Sequence, residues 1–216
     1  NQQRLHLTMK VEPSGAAKGT IKVWLKGIRA AMTRAYFRDM DPDTLREAAR
    51  QSIQAAGYRG RGTLERGNTD GLSDTYEYAM QFEIDNFLRS GNTGAFMLTS
   101  IFGSPHDIMA LADIPDRPDS VRREACHGFH SWETLELELP PGMELLSLPG
   151  EAQLKGSLID YSARYERDGN QLKVTREVHD KTPVSVCTPE MSKEFQKQGT
   201  PVAENLRTQV LYKRAR

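Results

Sequence analysis

Strict alternation of apolar and polar residues is the feature that most constrains the fold of this chain. From Arg4 to Val11 every second residue is apolar, and the same period returns from Ile21 to Leu25. A period of two places the apolar side chains on one face of a β-strand and the polar side chains on the other. The turn residues Pro13-Ser14-Gly15 between the two segments predict a hairpin.

The same alternation predicts further strands at 76–84, 134–139 and 159–178. The last of these segments is a second hairpin around Asp168-Gly169-Asn170, since Asp-Gly supplies the positive φ angles that tight turns require. Arg176 interrupts the apolar row of its return strand. Alternation with one polar face is typical of antiparallel rather than parallel sheets.

Three segments are expected to form helices. The sequence Asp41-Pro42-Asp43 predicts a helix start, and Gly57 its end. Another helix starts at Thr188-Pro189-Glu190, with an interruption at Gly199-Thr200-Pro201. A shorter segment before the first of these carries apolar residues at helical spacing: Ile28, Met32, Tyr36 and Met40.

These elements predict a mainly β fold with packed helices, of the α+β class, resembling an antiparallel β-sandwich with two sheet layers. Three prolines between 104 and 119 mark a long connection. The chain therefore divides into 1–115, a hairpin with helices and strands, and 116–216, an antiparallel β subdomain with a closing helix, unless the two form one continuous domain.

Composition excludes several classes of function. Among the 216 residues, 29 Lys and Arg balance 29 Asp and Glu, so the formal net charge is zero. Such a chain has no long-range field to attract nucleic acid. No apolar run approaches the roughly 20 residues of a membrane span, and the glycines match neither a P-loop nor a dinucleotide fingerprint. We expect no cofactor.

The segment Cys126-His127-Gly128-Phe129-His130 is the densest cluster of reactive side chains. With His179 it offers metal ligands, and Cys187 with His179 or His130 offers a Cys–His nucleophile. On an extended strand, however, Cys126 and His130 would lie about 13 Å apart, too far for one ion. We therefore predict no catalytic, cofactor-binding or metal-ligating residue, with the Cys–His hydrolase or metalloprotein kept as an alternative.

The two cysteines admit two further interpretations. A Cys126–Cys187 disulfide would close a loop of about 60 residues, worth roughly 4 kcal/mol in the chain-entropy model, and would require an oxidising compartment. Two unrelated buried thiols fit the same count.

Polar strand faces carry the remaining candidates. Trp24 and Trp132 fall on the polar faces of their strands, where they form either a stacking platform for a ligand or rings covered by helices. Glu133, Glu136 and Glu138 are placed along one strand face, where solvation is favoured over an acid–base role.

The second half resembles a known family. The stretch from Thr134 to Pro149, followed by Tyr161-Ser-Ala-Arg-Tyr165 and a segment ending at Arg176, is similar to the C-terminal β-rich region of bacterial multidomain transglutaminase-like proteins. In that family a β domain of unknown function comes first and the papain-like transglutaminase domain second. The resemblance is strongest over 130–214 and weaker over 5–56.

The resemblance implies a non-catalytic accessory region, because the family's Cys-His-Asp triad belongs to the transglutaminase domain and neither Cys126 nor Cys187 lies in its Gly-Asp-Cys type of motif. Its implied role is to buttress the catalytic domain or to present a surface to a substrate or partner. The implied partners are that domain in the same polypeptide and a protein or glycan substrate, and the implied location is the periplasm or cell surface. A first residue Asn1 rather than Met agrees with a processed product or an excised piece. An independent glycan- or peptide-binding module is the alternative.

Overall fold

The computed structural model describes residues 1–89, 91–100, 108–116, 123–126 and 128–214. The elements in these residues are, in chain order, β1 (Gln2–Val11), β2 (Ala17–Lys26), α1 (Ile28–Arg38), α2 (Pro42–Ala55), β3 (Gly60–Arg66), β4 (Thr75–Ile84), β5 (Thr93–Met97), a 3-10 helix (Ile108–Asp116), β6 (Glu124–Ala125), β7 (Phe129–Glu138), β8 (Glu144–Ser147), β9 (Ala152–Lys155), β10 (Ile159–Asp168), β11 (Gln171–Asp180), β12 (Val186–Cys187), α3 (Pro189–Arg207) and β13 (Gln209–Lys213). The predicted α+β class is confirmed.

Eight strands form one large sheet in the order β3-β4-β2-β1-β7-β11-β10-β9. Its strands come from both sides of the Pro-rich connection. Neighbours are antiparallel except β1 and β7, which run parallel, so the sheet is mixed where the sequence predicted an antiparallel one. Alternation shows that one face of a strand is open, but it does not report the direction of the neighbouring strand.

Both predicted hairpins form. Gly15 adopts a φ of 96° between β1 and β2, where a Cβ would also press on the Leu88 carbonyl, and Gly169 adopts a φ of 57° between β10 and β11. The β1–β2 pairing runs without a shift from Gln2–Lys26 to Val11–Ala17. This register fixes which side chains of the two strands stand side by side.

Only one face of the large sheet is covered by described elements. Against it lie the three α-helices, the 3-10 helix and a small sheet in the order β5-β13-β8. Helix α2 contributes Leu45, Ala49 and Ile53 to this core. The opposite face, which carries the even-numbered residues of β1, is exposed along most of its length and is called the open face below.

The predicted interruption of the last helix is wrong, because α3 continues through Gly199, Thr200 and Pro201. Gly199 packs so closely on Ile114 of the 3-10 helix that an added Cβ would lie 2.6 Å from its Cδ1 atom. Tertiary packing therefore holds this part of the helix although both its glycine and its proline are poor helix formers.

Candidate functional site

A row of planar side chains crosses the open face at one end of the sheet. Arg4 of β1 stands directly opposite Trp24 of β2 and Trp132 of β7. Its guanidinium carbon lies 5.2 Å from the centre of each indole ring. Both distances fall within the range of cation–π attraction. The three side chains therefore form one stack across three strands.

The row continues with two histidines. The His130 ring stacks on Trp132 with 3.7 Å between centres, and His179 of β11 stacks on His130 at 4.5 Å. His130 Nε2 lies 2.6 Å from Glu177 Oε1. We call Trp24, Arg4, Trp132, His130 and His179 the planar stack.

Both indoles are engaged by other side chains of the stack. Trp132 is in contact with Arg4 and with the His130 ring, which also reaches Glu177 of β11. Trp24 is in contact with Arg4. Both indoles are half-buried, and no described helix covers them. Of the two predicted arrangements, the rings are thus neither buried under helices nor a free platform.

Two concavities flank the stack. One of about 620 Å³ extends from Trp24 over Ala79 to Glu65 and is also lined by Lys22 and Glu77. Another of about 480 Å³ extends from Trp132 toward the strands at the far side of the sheet. The two concavities share Trp132 and Thr134 in their linings.

Beyond the stack, ion pairs cover the open face. Lys10 Nζ lies 2.6 Å from Glu138, and His6 Nε2 lies 3.2 Å from Glu136, which also pairs with Lys173 at 3.4 Å. The His6 hydrogen bond is the main cause that lowers the pKa of Glu136. These exposed pairs contribute little to stability and give this part of the face a solvated, charge-balanced surface.

Glu133 does not share that face, so its predicted placement beside Glu136 and Glu138 is wrong. A period of two turns position 133 to the opposite side from 136 and 138, and Glu133 is buried in the core. There it accepts a 3.0 Å hydrogen bond from Arg176, which also donates to the Leu98 carbonyl. Both side chains are only 1% exposed.

Burial raises the pKa of Glu133, against the opposing effect of Arg176. Burial by itself lowers the pKa of Arg176, but the Glu133 carboxylate and the Tyr165 hydroxyl outweigh it, and the net shift is upward. The pair explains why an arginine interrupts the apolar row of β11. Removal of one partner would leave an uncompensated buried charge, so we interpret the pair as structural.

In the predicted cysteine–histidine cluster, Cys126 forms a disulfide with Cys187, and the two Cα atoms are 5.7 Å apart. The bridge lies beside the two-stranded pairing of β6 and β12. It removes the thiolate that a Cys–His nucleophile or a cysteine metal ligand requires. His127 lies outside the described residues. Within the described part of the chain, no three His, Cys, Asp or Glu side chains are grouped closely enough for a metal.

Arg4 is the residue of the stack that sequence reasoning missed. The sequence does indicate one of its two neighbours, because the hairpin turn between β1 and β2 sets Arg4 opposite Trp24. The contact of Arg4 with Trp132 depends on the parallel pairing of β1 with β7, for which the sequence has no local signal.

No family model, curated protein or solved structure matches this chain. The similarity to transglutaminase-like proteins therefore stays a prediction. In the described residues, helices that combine the length and the apolar character of a membrane span are absent.

Proposed function

We propose that this chain is a non-catalytic accessory region that binds a partner domain on the open face of its large sheet. The observation that carries the proposal is the planar stack, which places two half-buried indoles on a face that no described element covers. Tryptophan and arginine are the residue types most often found at the centres of protein interfaces.

The non-catalytic part of the proposal is supported by the state of the reactive groups. Both cysteines of the chain are consumed by the Cys126–Cys187 bridge. The buried carboxylates are occupied as well: Glu133 is held by Arg176, and Asp180 accepts hydrogen bonds from Thr182. We therefore assign the open face a binding role.

The identity of the partner domain comes from the resemblance alone. The similarity of 130–214 to the C-terminal region of transglutaminase-like proteins names a papain-like catalytic domain of the same polypeptide. A periplasmic or cell-surface location accompanies that proposal, and a disulfide is compatible with such an oxidising environment.

The native mass in the source cells tests whether the chain belongs to a larger protein. An immunoblot band far above 24.3 kDa supports the accessory role. A band near that mass contradicts it.

Hydroxyl-radical footprinting then tests which face is covered. We expect oxidation of Trp24 and Trp132 to fall in the native polypeptide relative to this chain alone. Met32, which is 65% exposed on the other layer, serves as the internal reference. Protection of Met32 with unchanged tryptophan oxidation would place the partner elsewhere and overturn the proposal.

An independent glycan- or peptide-binding module is the second candidate, favoured by the concavity of about 620 Å³ beside Trp24. A glycan array distinguishes it. Binding that is abolished by Trp24→Ala and retained by Trp132→Ala, whose ring is already in contact with Arg4 and His130, would support this function. No binding to any glycan would count against it.

A further inference from the structure

Arg4 differs in its partners from His6 and Lys10, the other cations that β1 carries on the open face. Lys10 and His6, on the same strand, each face a carboxylate of β7. On β2, two residues from Trp24, Lys26 lies 3.5 Å from Asp74. Arg4 is exposed, and among the described residues it forms neither a hydrogen bond nor an ion pair.

The surroundings of Arg4 explain this difference. Its neighbours on both sides are indoles, and the nearest acids in its row, Glu77 and Glu177, stand one strand further out on each side. Glu177 lies 2.6 Å from His130 Nε2, and neither acid forms an ion pair with Arg4. Each indole attracts the guanidinium plane, so the stack holds the group in place before any ligand arrives.

We infer that Arg4, held between Trp24 and Trp132, is the receptor for a single carboxylate, supplied by an Asp or Glu side chain of a protein partner. The inference rests on the proposed function, since it names the chemistry by which the open face recognises that partner. A guanidinium presents its N–H groups as a fork that matches the two oxygens of a carboxylate.

The charges around the stack favour one carboxylate over a polyanion. Glu77, Glu65 and Glu177 border the two concavities, and the chain as a whole has no net charge. A nucleic acid or a heavily sulfated glycan would bring several negative charges against these acids. One carboxylate flanked by neutral groups brings a single negative charge to a site whose cations include Arg4 and the neighbouring Lys22.

The contacts of the two indoles favour a protein over a sugar acid. A uronic acid would gain most from stacking its ring on a free aromatic ring, but Trp132 is already in contact with Arg4 and His130, and Trp24 with Arg4. A carboxylate at the end of a short side chain needs only the exposed edge of the stack.

The two tryptophans give a direct measurement, because the chain contains only these two and therefore only two indole N–H signals. We would titrate the ¹⁵N-labelled chain with the peptide acetyl-Gly-Glu-Gly-amide and with its neutral analogue acetyl-Gly-Gln-Gly-amide. The proposal predicts a saturable shift of both indole signals with the Glu peptide only. It also predicts that Arg4→Gln weakens binding about tenfold or more.

Two further variants keep the test specific. Arg4→Lys retains the charge but lacks the planar fork, and we expect it to bind more weakly than the native chain. Lys10→Gln removes a cation from the same strand and face that already pairs with Glu138, and should leave binding unchanged. Thermal unfolding of each variant checks that the fold is intact.

The outcomes separate this inference from the proposed function. Absence of a saturable shift, equal shifts with the Gln peptide, or an unchanged response in Arg4→Gln overturns the carboxylate receptor. Tighter binding of sodium glucuronate than of the Glu peptide overturns the protein source.

The footprinting result bears separately on the proposed function. If the carboxylate receptor fails but the tryptophans are protected in the native polypeptide, the partner-binding role stands without the carboxylate. If the peptide binds but the tryptophans are not protected, the accessory role fails instead.

Discussion

Helices α1 and α2 follow each other in the chain and pack on the same sheet, yet they bury different kinds of face against it. Helix α2 buries an apolar stripe, which consists of Leu45, Ala49 and Ile53. Helix α1 exposes three large apolar residues, Ile28, Met32 and Tyr36. Its buried face is mixed, with Ala30 and Phe37 beside two arginines, Arg29 and Arg34.

The partners available at the sheet explain the difference. Arg34 donates hydrogen bonds to the carbonyl groups of Ser73 and Thr75 at 2.8 and 2.6 Å and lies over the Tyr76 ring. Arg29 donates to Gln3 and lies over the Phe129 ring. Under α2, by contrast, Gly62 leaves room for Ala49 and Ile53 to approach the sheet. A helix thus faces inward with whichever side finds partners, and apolar spacing alone does not decide which side that is.

The largest expected effect comes from the buried stripe of α2. Ile53 is fully buried, so Ile53→Ala should lower the free energy of unfolding by about 3 kcal/mol, through lost apolar burial and the cavity left behind. Denaturant unfolding measures the loss. A loss below that of the Met32 variant described below would contradict the assignment of the two faces.

Replacement of a buried arginine in α1 should be next in size. Arg34→Met removes the donors for two carbonyl groups and should cost about 2 kcal/mol in the same measurement. The matched control is Arg38→Met, because Arg38 is exposed and its side chain donates a long, 3.4 Å hydrogen bond to the Thr69 carbonyl. Equal losses for the two variants would show that burial of Arg34 is not stabilising.

The cap of α2 supplies a smaller effect. Asp41 accepts a 2.7 Å hydrogen bond from the Thr44 amide, and that bond is the main cause that lowers its pKa. Asp41→Ala should lower the melting temperature by less than Ile53→Ala does. Asp41→Asn, which caps equally well, should keep most of the native melting temperature. A loss as large as that of Asp41→Ala would mean that the charge of Asp41, rather than its capping hydrogen bond, is responsible.

Substitution of an exposed apolar residue of α1 should leave stability nearly unchanged. Met32→Gln replaces an apolar side chain that is 65% exposed by a polar one with similar helix propensity. We expect a change within about 0.5 kcal/mol. A substantial loss of stability would mean that this side chain is covered in solution.

The smallest effect is a pH dependence that only α2 should show, since α1 contains no acidic residue. Hydrogen bonds from Arg50 and then Gln51 lower the pKa of Glu47 from 4.5 to about 2. A depressed carboxyl pKa stabilises the fold above pH 4.5, and this contribution is lost as the pH falls toward 2. Between those values, stability of the native chain should fall more steeply than that of Glu47→Gln, as measured by thermal unfolding at each pH. Parallel curves would exclude the Glu47 contribution.

Sequence reasoning succeeded where the signal is local. The turn at Gly15, the Asp-Gly turn before Asn170 and the Asp41 cap each specify their neighbours within a few residues, and all three were placed correctly. The continuity of α3 was missed because it depends on Ile114, a residue distant in sequence that packs on Gly199.

The candidate site was predicted only in part, for the same reason. Alternation placed Trp24 and Trp132 on the polar face but could not bring them together, since their strands are joined through β1 in the middle of the sheet. Arg4 becomes a central residue only after that assembly. Similarly, Arg176 explains the inward position of Glu133, and the two meet across β7 and β11.

The parallel pairing of β1 with β7 also sets an order of events during synthesis. Lys10 and Glu138, which meet across this pairing, are 128 residues apart, whereas β1 and β2 are joined by a short turn. The first hairpin can form early, but one edge of β1 then remains unpaired until β7 has left the ribosome. Such long-range pairing slows folding and leaves a strand edge open to other chains in the meantime. A nascent chain that stops before Glu138 is therefore expected to be the species most prone to aggregation, because the middle of its future sheet is still an edge.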